Sequence, residues 1–247
     1  MAIDFSQVKT ITIPEGSVKK ITDSNGAVLW ANKTAFPYRR LQYIKFSGAE
    51  YVDTNVTLPA GNSYKRFDLA INWQDASNWG VNGFDSDTSN RFNIGVNGSG
   101  HSRYGSGSTN TWADSDGYNI SLNTKYDLVL LASKGSTNLA FLQNGINIWT
   151  SPTRSTTFNS ATGNIYIGAA LYKGEAKNFN KELIYGAVLR VNNVSGVIFN
   201  GVPVQRKSDG VCGLYDTVSG IFRPMIGTNI TDAAAGPVID EYWDFTI

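Results

Sequence analysis

The carboxylates that could support hydrolysis lie in the closing segment DEYWD, residues 240–244. A glycosidase places two carboxyl groups roughly 5 to 9.5 Å apart around the scissile bond. On a strand, Asp240 and Asp244 share a face but lie about 13 Å apart. No Glu-x-Asp sequence occurs in the chain. We therefore predict an amphipathic terminal strand here, and we predict that the chain is not an enzyme.

Other catalytic and metal-binding patterns are weak. The single histidine, His101, and the single cysteine, Cys212, have no evident partner in the sequence, and no Gly-x-Ser-x-Gly elbow occurs. We predict that Cys212 is a small buried side chain. The turns DSDTSN (85–90) and DSDGYN (114–119) offer oxygen ligands of the kind that Ca²⁺ prefers. Neither is followed by a Glu at the twelfth position of an EF-hand loop, which Lys125 occupies in a loop that begins at Asp114. We predict no cofactor and keep these turns as the only Ca²⁺ candidates.

Aromatic and planar polar side chains concentrate between Trp73 and Trp112. Sugars present apolar C–H faces and polar edges, so an aromatic surface beside amide, carboxylate or guanidinium groups suits them. Trp79 and Trp112 lie in polar, glycine-rich sequence, which favours exposure. The alternatives are that each tryptophan covers an end of the core, or that these loops contact proteins. The predicted ligand-binding residues are Trp79, Asn82, Asp85, Arg91, His101, Arg103, Tyr104 and Trp112.

The elements that must position these residues are strands. Apolar residues alternate with period two in KRFDLAINW, RFNIGV, YDLVLLAS and several similar segments, and no 12-residue window has a capped helical stripe. In ELIYGAVLRV the alternation puts Leu183, Tyr185, Ala187, Leu189 and Val191 on one face, and Ile184 and Val188 on the other. We therefore predict an all-β chain that folds as an antiparallel β-sandwich of roughly a dozen strands.

Composition excludes some partners. The formal net charge is +1 and only 17% of residues are charged, without a basic block, so we expect no nucleic-acid binding. No run of about 18 apolar residues occurs, so we expect no membrane span. The start MAIDFSQVKTITIP lacks the pattern of a signal peptide.

Two segments carry a resemblance to a known family. LQYIKFSGAEYVDTNVTL (41–58) and VPVQRKSDGVCGLYDTVSGIFRPMIGT (202–228) resemble the opening and closing motifs of concanavalin A-like jelly-roll domains of the laminin-G type. Such domains are common in bacterial surface proteins and in phage and prophage structural proteins. The resemblance covers about residues 39–247 and implies a concanavalin A-like jelly roll.

The leading ITIPEGSVKKITDSNGAVLW resembles short amino-terminal modules of phage structural proteins. Within it, VKKITDSNGAVLW is predicted to form a β-hairpin around Asn25-Gly26. We therefore divide the chain into a small attachment module (1–32), a linker (33–38) and a jelly roll (39–247).

The resemblance implies a virion surface protein, made in the host cytoplasm and tethered to other virion proteins through residues 1–32. One reading is a tail or fibre adhesin whose jelly roll binds a host-surface glycan. The other is a purely structural capsid decoration or head-fibre protein without sugar binding. A homo-oligomer is expected for either.

The stretch RKSDGVCGLYDTVSGIFRP (206–224) concentrates charged and turn residues. We interpret it as two turns around a short strand, with Asp216 stabilising the second turn. Gly220 supplies that turn's backbone geometry, and Tyr215 and Phe222 are predicted to close the core.

Overall fold

The structure, a computed structural model, describes residues 20–22, 28–31, 37–76, 80–85, 90–107, 109–110 and 117–240. Within these ranges the regular secondary structure is β-strand, apart from one short 3₁₀ helix at Asp232–Ala234, and there is no α-helix. The strands in chain order are β1 Lys20–Thr22, β2 Val28–Ala31, β3 Tyr38–Leu41, β4 Ile44–Ser47, β5 Tyr51–Asp53, β6 Lys65–Trp73, β7 Gly80–Asp85, β8 Arg91–Val96, β9 Ser102–Gly107, β10 Thr109–Asn110, β11 Lys125–Ser133, β12 Ser136–Gln143, β13 Ile146–Thr150, β14 Arg154–Ser155, β15 Tyr166–Ile167, β16 Ala170–Tyr172, β17 Glu175–Lys177, β18 Lys181–Val191, β19 Val197–Arg206, β20 Cys212–Asp216, β21 Ile221–Ile226 and β22 Val238–Asp240. The all-β prediction is confirmed.

From β3 onwards the strands form two sheets that share β21. The larger sheet runs β13–β12–β11–β6–β18–β19–β20–β21, with β4 beside β18, β3 and then β22 beside β19, and β14 beside β12. The second sheet runs β10–β9–β8–β7 and continues through β15, β16, β17 and β5. β21 pairs with β20 through residues 221–224 and with β5 through residues 225–226. Apart from the parallel pair of β16 and β7, the pairings are antiparallel.

The core lies between the two sheets and follows from the alternation of apolar residues. Along β6, Phe67, Leu69 and Ile71 are buried in the core, whereas the residues between them face away from the second sheet. Phe92 and Ile94 of β8 contribute from the other side. Each such side chain stabilises the fold by roughly 1.5 to 3 kcal/mol on burial. This alternation gives the larger sheet an outer face, which carries polar residues.

The opening and closing motifs meet at Glu50, whose side chain is fully buried. Its carboxylate accepts hydrogen bonds from the backbone N–H of Ser47 at 2.7 Å and from that of Asn229 at 3.2 Å. The hydroxyl of Thr228 donates to the same carboxylate at 3.2 Å. Burial opposes ionisation, but these hydrogen bonds outweigh it, so the pKa of Glu50 is lowered. One charged side chain therefore holds two segments that are far apart in the sequence.

The stretch 206–224 forms the two turns and the strand β20 that the sequence predicts. Asp216 accepts hydrogen bonds from the backbone N–H groups of Val218 at 3.1 Å and Asn200 at 3.0 Å, and Gly220 has φ +72°. The prediction that Tyr215 and Phe222 close the core is wrong. They pair across β20 and β21 on the outer face, while the neighbouring Leu214 is buried in the core.

The amino-terminal hairpin is present in the described residues. β1 and β2 pair antiparallel as a separate two-stranded sheet, with Thr22 opposite Val28. Residues 23–27, which include the predicted Asn25-Gly26 turn, lie outside the described residues. The attachment role of residues 1–32 stays a prediction.

Candidate functional site

A groove of about 350 Å³ crosses the outer face of the larger sheet. It lies over β6, β11, β18 and β19, and an end of β3 borders it. Sites for small molecules in proteins are concave and combine apolar surface with a few convergent polar groups. The polar side chains that line the groove are Arg40, Arg66, Asp68, Asp127, Tyr185 and Asn200.

Small residues on the two central strands form the depression. Gly186 of β18 lies opposite Ala70 of β6, and Ala70 lies opposite Asp127 of β11. Val129 and Val188 add aliphatic surface on either side of Asp68. The groove therefore has an apolar floor below polar walls, which is an arrangement that suits a ligand with both C–H surface and hydroxyl groups.

Tyr185 reaches the groove because β18 contains a β-bulge. Ile184 pairs with Ile71 and Gly186 pairs with Ala70, so Tyr185 is an extra residue between two successive pairs. Ile184 and Ala187 are both buried in the core on either side of it. A bulge of this kind re-aims a side chain and changes which residues share a face. The prediction that Tyr185 and Ala187 lie on one face is therefore wrong.

The surroundings of Tyr185 keep its hydroxyl protonated. Burial raises the pKa of Tyr185 above its ordinary value, and a hydrogen bond with Asn72 opposes this effect only in part. Its ring packs edge-on against Tyr43 with centroids 5.4 Å apart, and the exposed Lys125 places its Nζ 4.8 Å from the ring centroid. Tyr185 thus offers a fixed aromatic wall and a hydroxyl that can donate a hydrogen bond at neutral pH.

Asp68 lies between two arginines at the edge of the groove. Arg66 donates to it from Nε at 2.7 Å and from Nη2 at 2.6 Å. Arg190 donates to its other carboxylate oxygen. These side chains are 21 to 29% exposed. Both carboxylate oxygens of Asp68 are therefore occupied by guanidinium groups.

The residues that the sequence predicts as ligand contacts lie elsewhere, on and near the second sheet. Trp79 and Trp112 lie outside the described residues, so their prediction stays open. Asp85 and Arg91 face each other across β7 and β8, joined by an ion pair of 2.7 Å, and each side chain is less than 10% exposed. Arg91 can lie close to β9 because Gly105 there has no side chain: a Cβ would be 2.9 Å from its Cδ.

Arg103 shares that face with Asp85 and Arg91 and is 3% exposed. Tyr104 lies on the opposite, core face, where its hydroxyl donates to the carbonyl of Pro152 at 3.3 Å. The backbone of His101 forms an isolated antiparallel β-bridge with that of Asn119. The buried Nδ1 of His101 has no hydrogen-bond partner in the part of the chain that the structure describes. Arg103 and Tyr104 are buried and His101 is half-buried, and their role as ligand contacts stays a prediction.

Asn82 links the two sheets inside the core. Its Nδ2 donates to Oε2 of Glu182 on β18 at 3.1 Å, and its Oδ1 accepts from the backbone N–H of Gly168 at 2.6 Å. Both Asn82 and Glu182 are fully buried. Burial raises the pKa of Glu182 to about 8, although the hydrogen bond from Asn82 opposes this shift. The pair is thus mainly uncharged at neutral pH and makes a polar contact between the sheets.

The Ca²⁺ candidates are only partly within the described ranges. Asp85 of the first turn bonds Arg91, and residues 86–89 and 111–116 lie outside. Among the residues that the structure describes, no three His, Cys, Asp or Glu side chains form a group that could hold a metal ion. Nor does the described part contain a helix long and apolar enough to cross a membrane.

Sequence reasoning missed the groove. Arg66, Asp68 and Asp127 occupy the outward positions of strands that were predicted correctly, so alternation alone could have found them. No such signal exists for Tyr185, because the bulge in β18 has no mark in the sequence other than Gly186. Asn200 lies on β19 and Arg40 on β3, and only the order of the strands in the sheet brings these residues to the groove.

No protein-family model matches the chain, and no curated protein matches it. A solved structure described as a "putative carbohydrate binding protein" from Bacteroides ovatus ATCC 8483 is similar, with a TM-score of 0.52 and 11% identity, over 81% of this chain and 62% of that one. The chain thus spans about three fifths of that protein's length. This likeness supports the assignment of the fold as an antiparallel β-sandwich.

Two further structures score lower. A heptameric SAP-like pentraxin from Limulus polyphemus has a TM-score of 0.40 and 14% identity, over 80% of this chain and 96% of that one. A mutant Trypanosoma rangeli sialidase displaying trans-sialidase activity has a TM-score of 0.37 and 14% identity, over 63% of this chain and 27% of that one. At these scores the two structures carry no argument.

Proposed function

We propose that this chain is a non-enzymatic, lectin-like protein of a phage virion surface that binds a host-surface glycan in the groove of the larger sheet. The groove carries the proposal. Tyr185 stands beside the carboxylate of Asp127, the amide of Asn200 and an apolar floor. The fold that the chain shares with a protein described as carbohydrate-binding supports the same function.

The pairing of Asp68 favours binding over hydrolysis. Glycosidases need one carboxyl group that is free to act as an acid. Asp68 is paired with Arg66 and Arg190, and Glu182, whose pKa is raised by burial, is fully enclosed in the core. Asp127 is then the one groove carboxylate left to accept hydrogen bonds from sugar hydroxyls.

The virion part of the proposal rests on the sequence. The motifs at 41–58 and 202–228 and the leading module resemble those of phage structural proteins. Residues 1–32 would attach to other virion proteins, and the sandwich would project towards the host.

The glycan test uses the full-length chain on a glycan array and on host cells. Tyr185→Ala should weaken binding by at least about ten-fold, because aromatic anchors in a binding site commonly contribute 2 kcal/mol or more. Tyr172→Ala is the matched control, because Tyr172 is a half-buried tyrosine on β16 of the second sheet. Thermal unfolding of each variant checks that it is folded.

Three results would change the proposal. Equal binding by the two tyrosine variants would remove the groove from it. A loss of binding in Trp79→Ala or Trp112→Ala instead would move the site to the loops that the sequence predicts. An absence of glycan and cell binding, in a protein that is still incorporated into particles, would favour the purely structural capsid decoration or head fibre.

The attachment role is tested separately. A chain without residues 1–32 should be absent from purified phage particles while retaining glycan binding. Incorporation of this truncated chain at the wild-type level would refute the tether.

A further inference from the structure

We infer that the glycan is acidic, and that an anionic group on it binds the guanidinium groups of Arg66 and Arg190 at the edge of the groove. This inference rests on the proposed function, because it names the class of sugar that the same groove would take. The observation behind it is that Arg66 and Arg190 lie opposite each other and share the single carboxylate of Asp68.

The two arginines lie directly opposite each other. Arg190 of β18 pairs in register with Arg66 of β6, and both project from the outer face. Like charges directly opposite on neighbouring strands destabilise a sheet. Their proximity lowers the pKa of Arg190, although burial is the larger cause.

A single carboxylate, that of Asp68, serves both cations. Its Oδ1 accepts from Arg66 and its Oδ2 accepts from Arg190, so the three side chains together carry one excess positive charge. Each guanidinium has five N–H donors, and Asp68 uses only some of them. Among the described residues, the structure gives Arg66 and Arg190 no other hydrogen-bond acceptor.

The excess charge lies at the edge of the groove. The charged side chains that line the groove balance one another, because Arg40 and Arg66 are matched by Asp68 and Asp127. Arg190 does not line the groove but bonds Asp68 at its edge, so it adds one positive charge there.

Arginine pairs recognise carboxylate, sulfate and phosphate groups through parallel, charge-assisted hydrogen bonds. Arg66 lines the groove and is 29% exposed, and its neighbour Arg190 is 21% exposed, so solvent reaches both guanidinium groups at the edge of the groove. An anion there would satisfy the second arginine while the sugar ring contacts the apolar floor.

The test compares polymers that share a backbone. The full-length chain is assayed by isothermal titration calorimetry against polygalacturonate and its methyl ester, and against dextran sulfate and dextran. We expect the acidic member of at least one pair to bind at least ten-fold more tightly than its neutral partner. We also expect its affinity to fall between about 0.05 M and about 0.3 M NaCl, because salt screens partly exposed charges.

Four variants identify the site. Arg66→Gln and Arg190→Gln should each weaken binding of the acidic polymer about ten-fold or more, as expected for loss of a hydrogen bond between charged groups. Lys177→Gln on β17 of the second sheet removes the same charge far from the groove, and should bind as wild type does. Asp68→Asn removes the competing carboxylate and should bind the acidic polymer at least as tightly as wild type. Thermal unfolding confirms that each variant is folded.

The result also separates the inference from the proposed function. Equal binding of acidic and neutral polymers, with Tyr185→Ala still weakening both, would overturn the inference and leave the groove as a sugar site. Equal affinities of Arg66→Gln, Arg190→Gln and Lys177→Gln for the acidic polymer would also overturn the inference and leave the groove as a sugar site. Failure to bind either acidic polymer would overturn the inference, and failure on the glycan array as well would overturn the proposed function.

Discussion

Replacement of Glu182 by Gln should change how the stability of this protein depends on pH. Glu182 is fully buried, its Oε2 accepts a hydrogen bond from Asn82, and its Oε1 has no hydrogen-bond partner among the described residues. Burial raises the pKa of Glu182 from an ordinary 4.5 to about 8. The folded state therefore holds this proton more tightly than the unfolded state does, and stability falls as pH rises from about 4.5 to about 8.

The size of the effect follows from the same shift. Each pH unit in this window costs about 1.4 kcal/mol of unfolding free energy, so the wild-type protein is less stable at pH 7 than at pH 4.5 by roughly 3 kcal/mol from this group. Gln has nearly the same shape, accepts the bond from Asn82 and cannot ionise. Glu182→Gln should thus stabilise the protein by up to roughly 3 kcal/mol at pH 7, and the gain should vanish near pH 4.5.

The assay is urea unfolding of both proteins at intervals between about pH 4.5 and pH 8.5. Subtraction of the two curves cancels the titration of every other group, as long as those groups behave alike in both proteins. A difference that does not vary with pH would refute the reasoning, because it would mean that Glu182 does not change its charge across this range in the folded protein. A variant that is less stable at every pH would show that the amide does not fit the core.

Three further predictions concern the opening and closing motifs. Glu50→Gln should destabilise the protein by roughly 2 to 3 kcal/mol, because hydrogen bonds to a charged group are lost. Since the pKa of Glu50 is lowered, the stability of the wild-type protein should also decline as the pH falls through that pKa. Urea unfolding that shows no loss of stability at acidic pH would count against this role. Gly220→Val should destabilise it by about 1 to 2 kcal/mol, because a side chain is strained at φ +72°, and an unchanged melting temperature would contradict the turn. Cys212 should react with a thiol reagent at pH 8 only after unfolding. Burial raises the pKa of its thiol to about 12, and Asp232 makes a smaller contribution. Rapid labelling of the native protein would be inconsistent with that environment.

The sequence predicts the strands well because burial on one face leaves a period-two pattern. Lys65–Trp73 and Arg91–Val96 are observed with the predicted bounds. The turn at Asp216 was also predictable, since an Asp side chain bonds its own backbone in such turns. These features depend on neighbours in the chain.

The groove depends on neighbours in space, and the sequence could not show them. One extra residue in β18 changes the face on which Tyr185 lies, and the alternation beyond it continues without a visible break. Asn82 presents a similar difficulty, because a polar residue in a Gly-rich strand gives no sign that it meets a buried carboxyl from the other sheet. The sequence predicts that Tyr215 and Phe222 close the core, whereas the register puts them against Tyr38 on the outer face.

The most direct test of sugar binding in the groove is the affinity of the whole chain for host-surface glycan, measured for wild type, Tyr185→Ala and Tyr172→Ala. We expect wild type and Tyr172→Ala to bind the glycan alike, and Tyr185→Ala to bind it at least about ten-fold more weakly. Equal affinities for all three folded proteins would contradict the groove as the site of sugar binding.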